Sequence, residues 1–278
     1  MCGTCGCAEE SGGTRIVMLG EDGAPDHGHP HPHPHPYSHS HPDPHPHPHP
    51  HPHERRRTSG AGGTVTIETI EQKVLAKNDL LAERNRTWMS DRGIVAVNLM
   101  SSPGAGKTTL LERAVTDLGG RRTVAVVEGD QETRLDADRI RRTGCAVVQV
   151  NTGAGCHLDA EMMRDALTAL SPAEGSLLMV ENVGNLVCPA LFDLGERSKV
   201  VIISVTEGTD KPLKYPYMFA AADLILINKS DLLPHVDFDV EQCERHARSV
   251  NPDVRVLTVS ATTGEGLAHW YDWLAEQR

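Results

Sequence analysis

The chain has no excess of positive charge. Lys and Arg total 27 against 38 Asp and Glu, a net charge of −11 with His neutral. That balance gives it no electrostatic reason to sit on nucleic acid or on an anionic membrane. The short basic run Arg55–Arg57 reads as a solvated linker. No stretch has the length and apolarity of a membrane-spanning helix. The first residues also lack the basic-then-apolar pattern of a secretory signal, so a cytosolic protein is expected. Its seven Cys are then expected to be thiols or metal ligands and not structural disulfides.

The first sixty-odd residues lack any long apolar face. Residues 27–53 hold twelve of the sixteen His, and residues 25–52 hold eleven of the eighteen Pro. Such a segment cannot offset the entropy of ordering itself. Residues 1–63 are therefore expected to be a disordered arm, ahead of one domain over residues 64–278. That length suits a single α/β core.

Residues 64–92 carry a helical pattern, with Ile67, Ile70, Val74, Leu75 and Leu81 near i, i+3, i+4 spacing. Beyond them, seven strand-like runs rich in Val, Ile and Leu are expected: 94–100, 123–127, 146–150, 176–180, 199–205, 224–227 and 254–259. Helical patterns fall between them at 108–118, 136–143, 158–170, 213–222 and 240–250, with a last helix at 267–276. Continuous apolar runs suit strands buried on both faces. The βα alternation implies a mainly parallel seven-stranded sheet with helices on both faces, the P-loop NTPase class. Ligands in such sheets bind at the carboxyl ends of the strands.

Every chemical motif sits at such an end. The first strand runs into Ser101-Ser-Pro-Gly-Ala-Gly-Lys-Thr-Thr109, which opens a helix. The usual pattern is G-x-x-x-x-G-K-[ST], so Ser101 departs from it at the first position. The Gly104-Ala105-Gly106 backbone can approach phosphate oxygens, and the helix N-terminus adds a favourable dipole. Lys107 suits the β- and γ-phosphates, Thr108 a magnesium ion, and Thr109 the α-phosphate. A glycine-rich turn without a ligand would not need strand, loop, Lys-Thr and helix all in register.

Asn228-Lys-Ser-Asp231 follows the strand 224–227. A carboxylate at Asp231 can accept two hydrogen bonds from guanine N1 and N2, for which adenine has no matching donors. Asn228 is expected to fix the loop and reach the base edge, and the Lys229 stem to cover the base face. Ser260-Ala261 follows the last strand, where a backbone N–H can meet the guanine carbonyl. The expected nucleotide is GTP. Glu181-Asn-Val-Gly184 ends the fourth strand, where GTPases usually carry D-x-x-G. Glu181 is expected to hold a magnesium-bound water, and Gly184 to offer its N–H to the γ-phosphate. Glu128-Gly-Asp130 ends the second strand, and Asp130 is the candidate for positioning magnesium or the attacking water. Its alternative role is to start the following helix. No clear catalytic Gln and no arginine finger stand out, so slow intrinsic hydrolysis is expected.

Three groups of residues suggest transition metals. Cys2, Cys5 and Cys7 place three thiolates in six residues, with the amino terminus next to Cys2 once Met1 is lost. Thiolates with an amine or amide suit Ni(II) or Zn(II). In the His-Pro tract, imidazoles recur at every second residue on an extended chain, which suits weak, exchangeable binding of several divalent ions. Cys156-His157 follows a strand through a Gly-rich turn, and Cys188 comes four residues after Gly184. A metal held by these three would share a segment with the γ-phosphate contact. Cys145 and Cys243 read as small buried hydrophobes.

Taken together, these motifs resemble the HypB family, the nickel-incorporation GTPases of hydrogenase maturation. The resemblance runs from the Cys cluster and His-rich insertion through residues 98–109, 128–131, 156–157 and 181–188 to 228–231. It implies GTP-dependent homodimerisation, with an interface metal site built from Cys156, His157 and Cys188. It also implies a tighter N-terminal nickel site, nickel delivery to the hydrogenase large-subunit precursor, and HypA as partner. In that family a lysine reaches across the dimer toward the nucleotide, and Lys211 and Lys214 are both candidates. Two other readings differ in detail. The urease accessory GTPase is similar in fold but typically carries Cys-Pro-His in its metal motif and lacks the N-terminal thiolates. A nickel storage or buffering protein would use the GTPase part only as a switch.

Overall fold

The computed structural model describes residues 15–18, 67–130, 135–153 and 155–277. Eight strands form one sheet in the order β1-β4-β3-β5-β2-β6-β7-β8. They are β1 Arg15–Met18, β2 Val95–Ser101, β3 Val124–Asp130, β4 Ala146–Asn151, β5 Leu177–Glu181, β6 Ser198–Ser204, β7 Leu224–Asn228 and β8 Arg255–Thr258. All neighbours are parallel except β1, which pairs antiparallel with β4. Six of the seven parallel strands match the expected runs to within one residue at each end, and β3 extends the run expected at 123–127 by three residues, to Asp130. β1 does not: it lies inside the arm expected to have no structure. Its Arg-Ile-Val-Met run is short but β-prone, and it pairs with the otherwise open edge of β4.

Helices cover both faces. They are α1 Ile67–Ser90, α2 Lys107–Leu118, α3 Leu135–Arg141, α4 Ala160–Leu170, α5 Lys211–Lys214, α6 Pro216–Ala220, α7 Val240–Val250 and α8 Leu267–Glu276. One face of the sheet packs on Leu110 and Leu111 of α2, Ile140 of α3 and Trp270, Trp273 and Leu274 of α8. The other packs on Met89 of α1 and Met163 and Leu167 of α4, and further along on Met218 and Phe219 of α6 and Ala247 of α7. The helix expected over 213–222 is broken in two. Pro216 lacks the N–H and biases Tyr215 away from helical geometry (φ −125, ψ 54), so α5 stops and α6 starts afresh.

α1 docks by a mixed face, part apolar and part amide, that its larger apolar residues mark only in part. Val74 is exposed, and Leu75 and Leu81 are only half-buried, whereas Asn78, Ala82, Asn85 and Met89 are buried. Asn78 accepts from the Ala160 N–H at 2.9 Å and donates to the Asp193 carbonyl at 2.8 Å. Asn85 donates to the Ala160 carbonyl at 2.8 Å and to the Leu194 carbonyl at 3.0 Å. These amides satisfy backbone groups that docking would otherwise bury unpaired.

Candidate functional site

The loop after β2 turns through Gly104 (φ +77) and Gly106 (φ +94) into α2. A Cβ at Gly106 would stand 2.5 Å from Asn228 Nδ2, so glycine there is enforced by close packing as well as by φ. The loop edges a cleft of about 460 Å³ that also meets Glu128, Asp130, Glu181, Gly184 and Lys229. A larger cavity of about 720 Å³ lies elsewhere, at the opposite end of the sheet among Met89, Arg122 and Arg197. The smaller cleft is the one with phosphate-site chemistry: glycine backbone, a helix N-terminus and Lys107.

Lys107 Nζ donates to Ser101 Oγ at 3.1 Å and stands 3.9 Å from Glu181 Oε1. Ser101 thus does more than fill the first glycine position of the loop, because it holds the lysine. Thr108 Oγ1 donates to Glu181 Oε1 at 2.7 Å. Asp130 lines the same cleft at the end of β3. Thr109 Oγ1 accepts from Arg139 of α3 at 3.3 Å, and the same guanidinium pairs with Glu112 at 2.7 Å. Arg139 is a cleft residue that the sequence reading missed, since nothing local marks it.

Glu128 is the second omission. In the β3–β5 register it lies directly beside Glu181. It is 2 % exposed, and burial, with Glu181, Asp130 and Asp136 nearby, pushes its carboxyl up to about 9, against a smaller opposing effect from Lys107. Glu181 is raised as well, chiefly by burial. Among the described residues, neither Glu128 Oε2 nor Glu181 Oε2 finds a hydrogen-bond partner, and both are buried. Two buried carboxylate oxygens lacking partners, next to a threonine hydroxyl, form a hard-oxygen donor set that fits Mg²⁺. In the sequence a Glu directly follows each of the expected apolar runs 123–127 and 176–180, but only the register of β3 on β5 shows that the pair shares one cleft.

The second motif is tied to the first. Asn228, 1 % exposed, donates from Nδ2 to the Ala105 carbonyl at 2.9 Å and accepts at Oδ1 from the Ala261 N–H at 3.2 Å. Its amide therefore joins three loops, as the loop-fixing role expected for it requires. Lys229 takes left-handed backbone geometry (φ +63) and donates from Nζ to the Gly104 carbonyl at 2.8 Å. Asp231 accepts from Ser260 Oγ at 2.5 Å, which aims its carboxylate. The Ser260 N–H goes to the Glu265 carbonyl at 2.9 Å, leaving the Ala261 N–H, shared with Asn228, as the group placed to meet a base carbonyl.

The third cluster brings together Cys156, His157 and Cys188, whose donor atoms all lie within 4.8 Å of one another. Cys156 Sγ is 2.9 Å from Cys188 Sγ and 3.5 Å from His157 Nδ1. The His157 ring stacks on Phe192 at 3.9 Å between centroids and 25° between planes. Burial lowers the His157 pKa, against a smaller rise from Asp159, and so favours the neutral ring that binds metals. Two thiols and an imidazole at this spacing suit Ni²⁺ or Zn²⁺. By contrast, burial pushes the Cys145 thiol up to about 11 and the Cys243 thiol up to about 12; Cys243 is the buried small hydrophobe expected, whereas Cys145 is only half-buried and donates from Sγ to the Val124 carbonyl at 3.1 Å. Cys2, Cys5, Cys7 and the His-Pro tract at 27–53 lie outside the described residues.

Lys211 and Lys214 differ in availability. Lys211 Nζ pairs with Glu207 at 3.1 Å, and Glu207 in turn accepts from Ser102 Oγ of the phosphate loop at 2.6 Å. Lys214 pairs with Asp210 at 2.8 Å but has 61 % of its side chain exposed, against 21 % for Lys211. No helix among the described residues is long and apolar enough to cross a membrane.

Comparison with known proteins agrees with this geometry. Residues 95–258 match the family model described as CobW/HypB/UreG, nucleotide-binding domain. Over 209 residues, 75 % of this chain and 69 % of the relative, the chain is 60 % identical to hydrogenase maturation factor HypB of Azotobacter vinelandii. Among solved structures, HypB from Archaeoglobus fulgidus is 42 % identical with a TM-score of 0.68, covering 72 % of this chain and 98 % of that one. HypB from Helicobacter pylori, solved in complex with nickel, is 39 % identical with a TM-score of 0.67, covering 72 % and 94 %. The phosphate loop, the guanine-type motif and the Cys-His-Cys cluster thus belong together: the chain is a member of the HypB family of hydrogenase maturation factors.

Proposed function

We propose that this chain is a GTP-hydrolysing nickel-delivery factor, acting in the cytoplasm to help load nickel into the hydrogenase large-subunit precursor. The observation that carries this reading is the segment 181–188. At one end Glu181 accepts from Thr108 in the phosphate site, and at the other Cys188 meets Cys156 in the metal site. Gly184, between them, lies against Pro103 of the phosphate loop, where an added Cβ would be 3.3 Å away.

GTP binds by its phosphates on the backbone of residues 104–109 and Lys107, and by its base at Asp231. Thr108, Glu181 and Glu128, with Asp130 lining the same cleft, would hold a magnesium ion, which would neutralise phosphate charge when bound with the nucleotide. Lys107 positions the phosphates, and Asp231, aimed by Ser260, discriminates guanine from adenine. Intrinsic hydrolysis by one chain alone is slow, since phosphoryl transfer depends on a fully assembled set of positioning and charge-stabilising groups. Dimerisation driven by GTP completes the site, and Lys214, the more exposed of the two candidate lysines, reaches across. Cys156, His157 and Cys188 hold nickel in transit or zinc, Cys2, Cys5 and Cys7 hold nickel more tightly, and the His-Pro tract stores it. HypA and the hydrogenase precursor are the partners.

The test is nickel transfer in vitro from the loaded chain to the precursor in the presence of GTP. Cys188→Ala is expected to keep GTP binding and hydrolysis while transfer stops. Undiminished transfer by that variant would sink the reading.

A further inference from the structure

The two halves of the metal cluster come from different loops, and besides the Cys156–Cys188 contact those loops are laced together by asparagine side chains. Cys156-His157 lie on the strap between β4 and α4. Asn182 Oδ1 accepts from the Leu158 N–H at 3.1 Å, immediately after His157, and from the Val183 N–H at 3.0 Å. Asn185 Nδ2 donates to the Cys156 carbonyl at 3.3 Å, while its Oδ1 accepts from the Val187 N–H at 2.8 Å, just before Cys188. The strap carrying two metal donors therefore hangs from the segment that carries the third.

The two asparagines are anchored differently. Asn182 is 1 % exposed. Its Nδ2 donates to Asn98 Oδ1 of β2 at 3.3 Å, and Asn98 donates to the buried Glu196 at 3.1 Å. Its backbone N–H also continues the sheet, to the Leu99 carbonyl at 3.0 Å. Asn182 is thus fixed to the central strand. Asn185 is half-buried, and its side-chain hydrogen bonds to the described residues reach only the two cysteine-bearing loops. Gly184, the candidate γ-phosphate contact, sits between them and directly precedes Asn185.

We infer that Asn182 is the pivot and Asn185 the moving arm of a coupling device: a shift of Gly184 toward or away from the nucleotide is passed by Asn185 to the Cys156 carbonyl, and so changes the fit of Cys156 to Cys188. This rests on the delivery reading above and names the residue through which that switch works. Asn185 is a positioning residue, touching neither nucleotide nor metal. The physical requirement for coupling is one element whose arrangement both sites bias, and residues 182–188 meet it by direct hydrogen bonds.

The test uses the full chain with Cys2, Cys5 and Cys7 changed to Ser, so that thiolate-to-nickel absorption reports only the inner cluster. Nickel affinity is measured with GDP and with a non-hydrolysable GTP analogue, in that background and with Asn185→Ala or Asn185→Ser added. Serine can still cap the Val187 N–H as a short polar turn residue, but it is too short to reach the Cys156 carbonyl. In the background chain the two affinities are expected to differ by about 5-fold or more, the usual scale of coupling between sites. Both Asn185 variants are expected to bring the ratio to within about twofold of unity, with GTP-analogue affinity unchanged. A purely structural role would lower both nickel affinities together and leave their ratio intact, which would overturn the inference. Restoration of the ratio by Ser would overturn it too, since the turn and not the bond to Cys156 would then matter. Absence of any ratio in the background chain would remove the delivery reading itself, and the inference with it.

Discussion

Replacing Asn228 by Ala should show that the two nucleotide motifs are one mechanical unit. The side chain donates to the Ala105 carbonyl and accepts from the Ala261 N–H, and these two residues are only 1 % and 8 % exposed. The Asn228→Ala variant leaves both backbone groups without this partner where water reaches them poorly. Each orphaned group costs about 1–3 kcal/mol, so the loss in stability for the two should be about 2–6 kcal/mol. That is a large part of the roughly 5–15 kcal/mol that holds a typical domain folded. The assay is urea unfolding without nucleotide, because a bound ligand would add its own stabilisation. With a slope of about 3 kcal/mol per molar, the midpoint should fall by roughly 1 M. The same substitution frees the phosphate loop from the guanine loop, so GTP affinity should fall by about tenfold or more, equivalent to about 1.4 kcal/mol. A midpoint shift below about 0.2 M, or unchanged GTP affinity, would refute the view that this amide joins the loops.

Two further outcomes follow from the site. Glu128 has a folded-state pKa of about 9 against 4.5 for the free side chain. Between those values the folded protein binds the extra proton, so Glu128 costs stability as pH rises, by up to about 1.4 kcal/mol per pH unit. Glu128→Gln should therefore be increasingly more stable than the parent from about pH 5 to pH 9 in nucleotide-free unfolding experiments; a stability difference independent of pH would show that the carboxyl is not held protonated. Phe192→Ala removes the ring stacked on His157, a contact worth about 0.5–1.5 kcal/mol. Nickel affinity of the inner cluster should fall by about 2–12-fold with GTP affinity unchanged, as read by metal titration; an unaltered nickel affinity would mean that the ring plays no part in orienting His157.

What could be read from the sequence was whatever obeys local rules. Gly104, Gly106, Lys107 and Thr108 announce a phosphate loop because the backbone turn and the chemistry occupy consecutive residues. The seven parallel strands are evident because burial on both faces leaves unbroken Val, Ile and Leu. Pro216 was equally local and marks where the expected helix over 213–222 breaks. The rest depends on residues far apart in the chain. The docking face of α1 includes Asn78 and Asn85, polar residues whose partners lie 75–115 positions away, so apolar periodicity marks only part of it. Glu128 became a site residue only through its register with Glu181. β1 sits in a segment whose composition argues against structure, and its pairing with the edge of β4 is a long-range contact that composition does not show. The metal trio Cys156, His157 and Cys188 was expected from motif position, but its lacing through Asn182 and Asn185 was not.

The most direct measurement of the central claim is the nickel dissociation constant of the inner cluster at two nucleotide states. With the N-terminal cysteines replaced by Ser, the full chain is titrated with nickel in saturating GDP and again in a saturating non-hydrolysable GTP analogue. If residues 181–188 serve both sites, the two constants differ by about 5-fold or more, and Cys188→Ala, which leaves Cys156 and His157 at the cluster, weakens nickel binding in both states and removes the difference between them. Constants equal within about twofold, in a protein that binds both nucleotides and nickel, would contradict it, because a ligand that distinguishes no states can shift none.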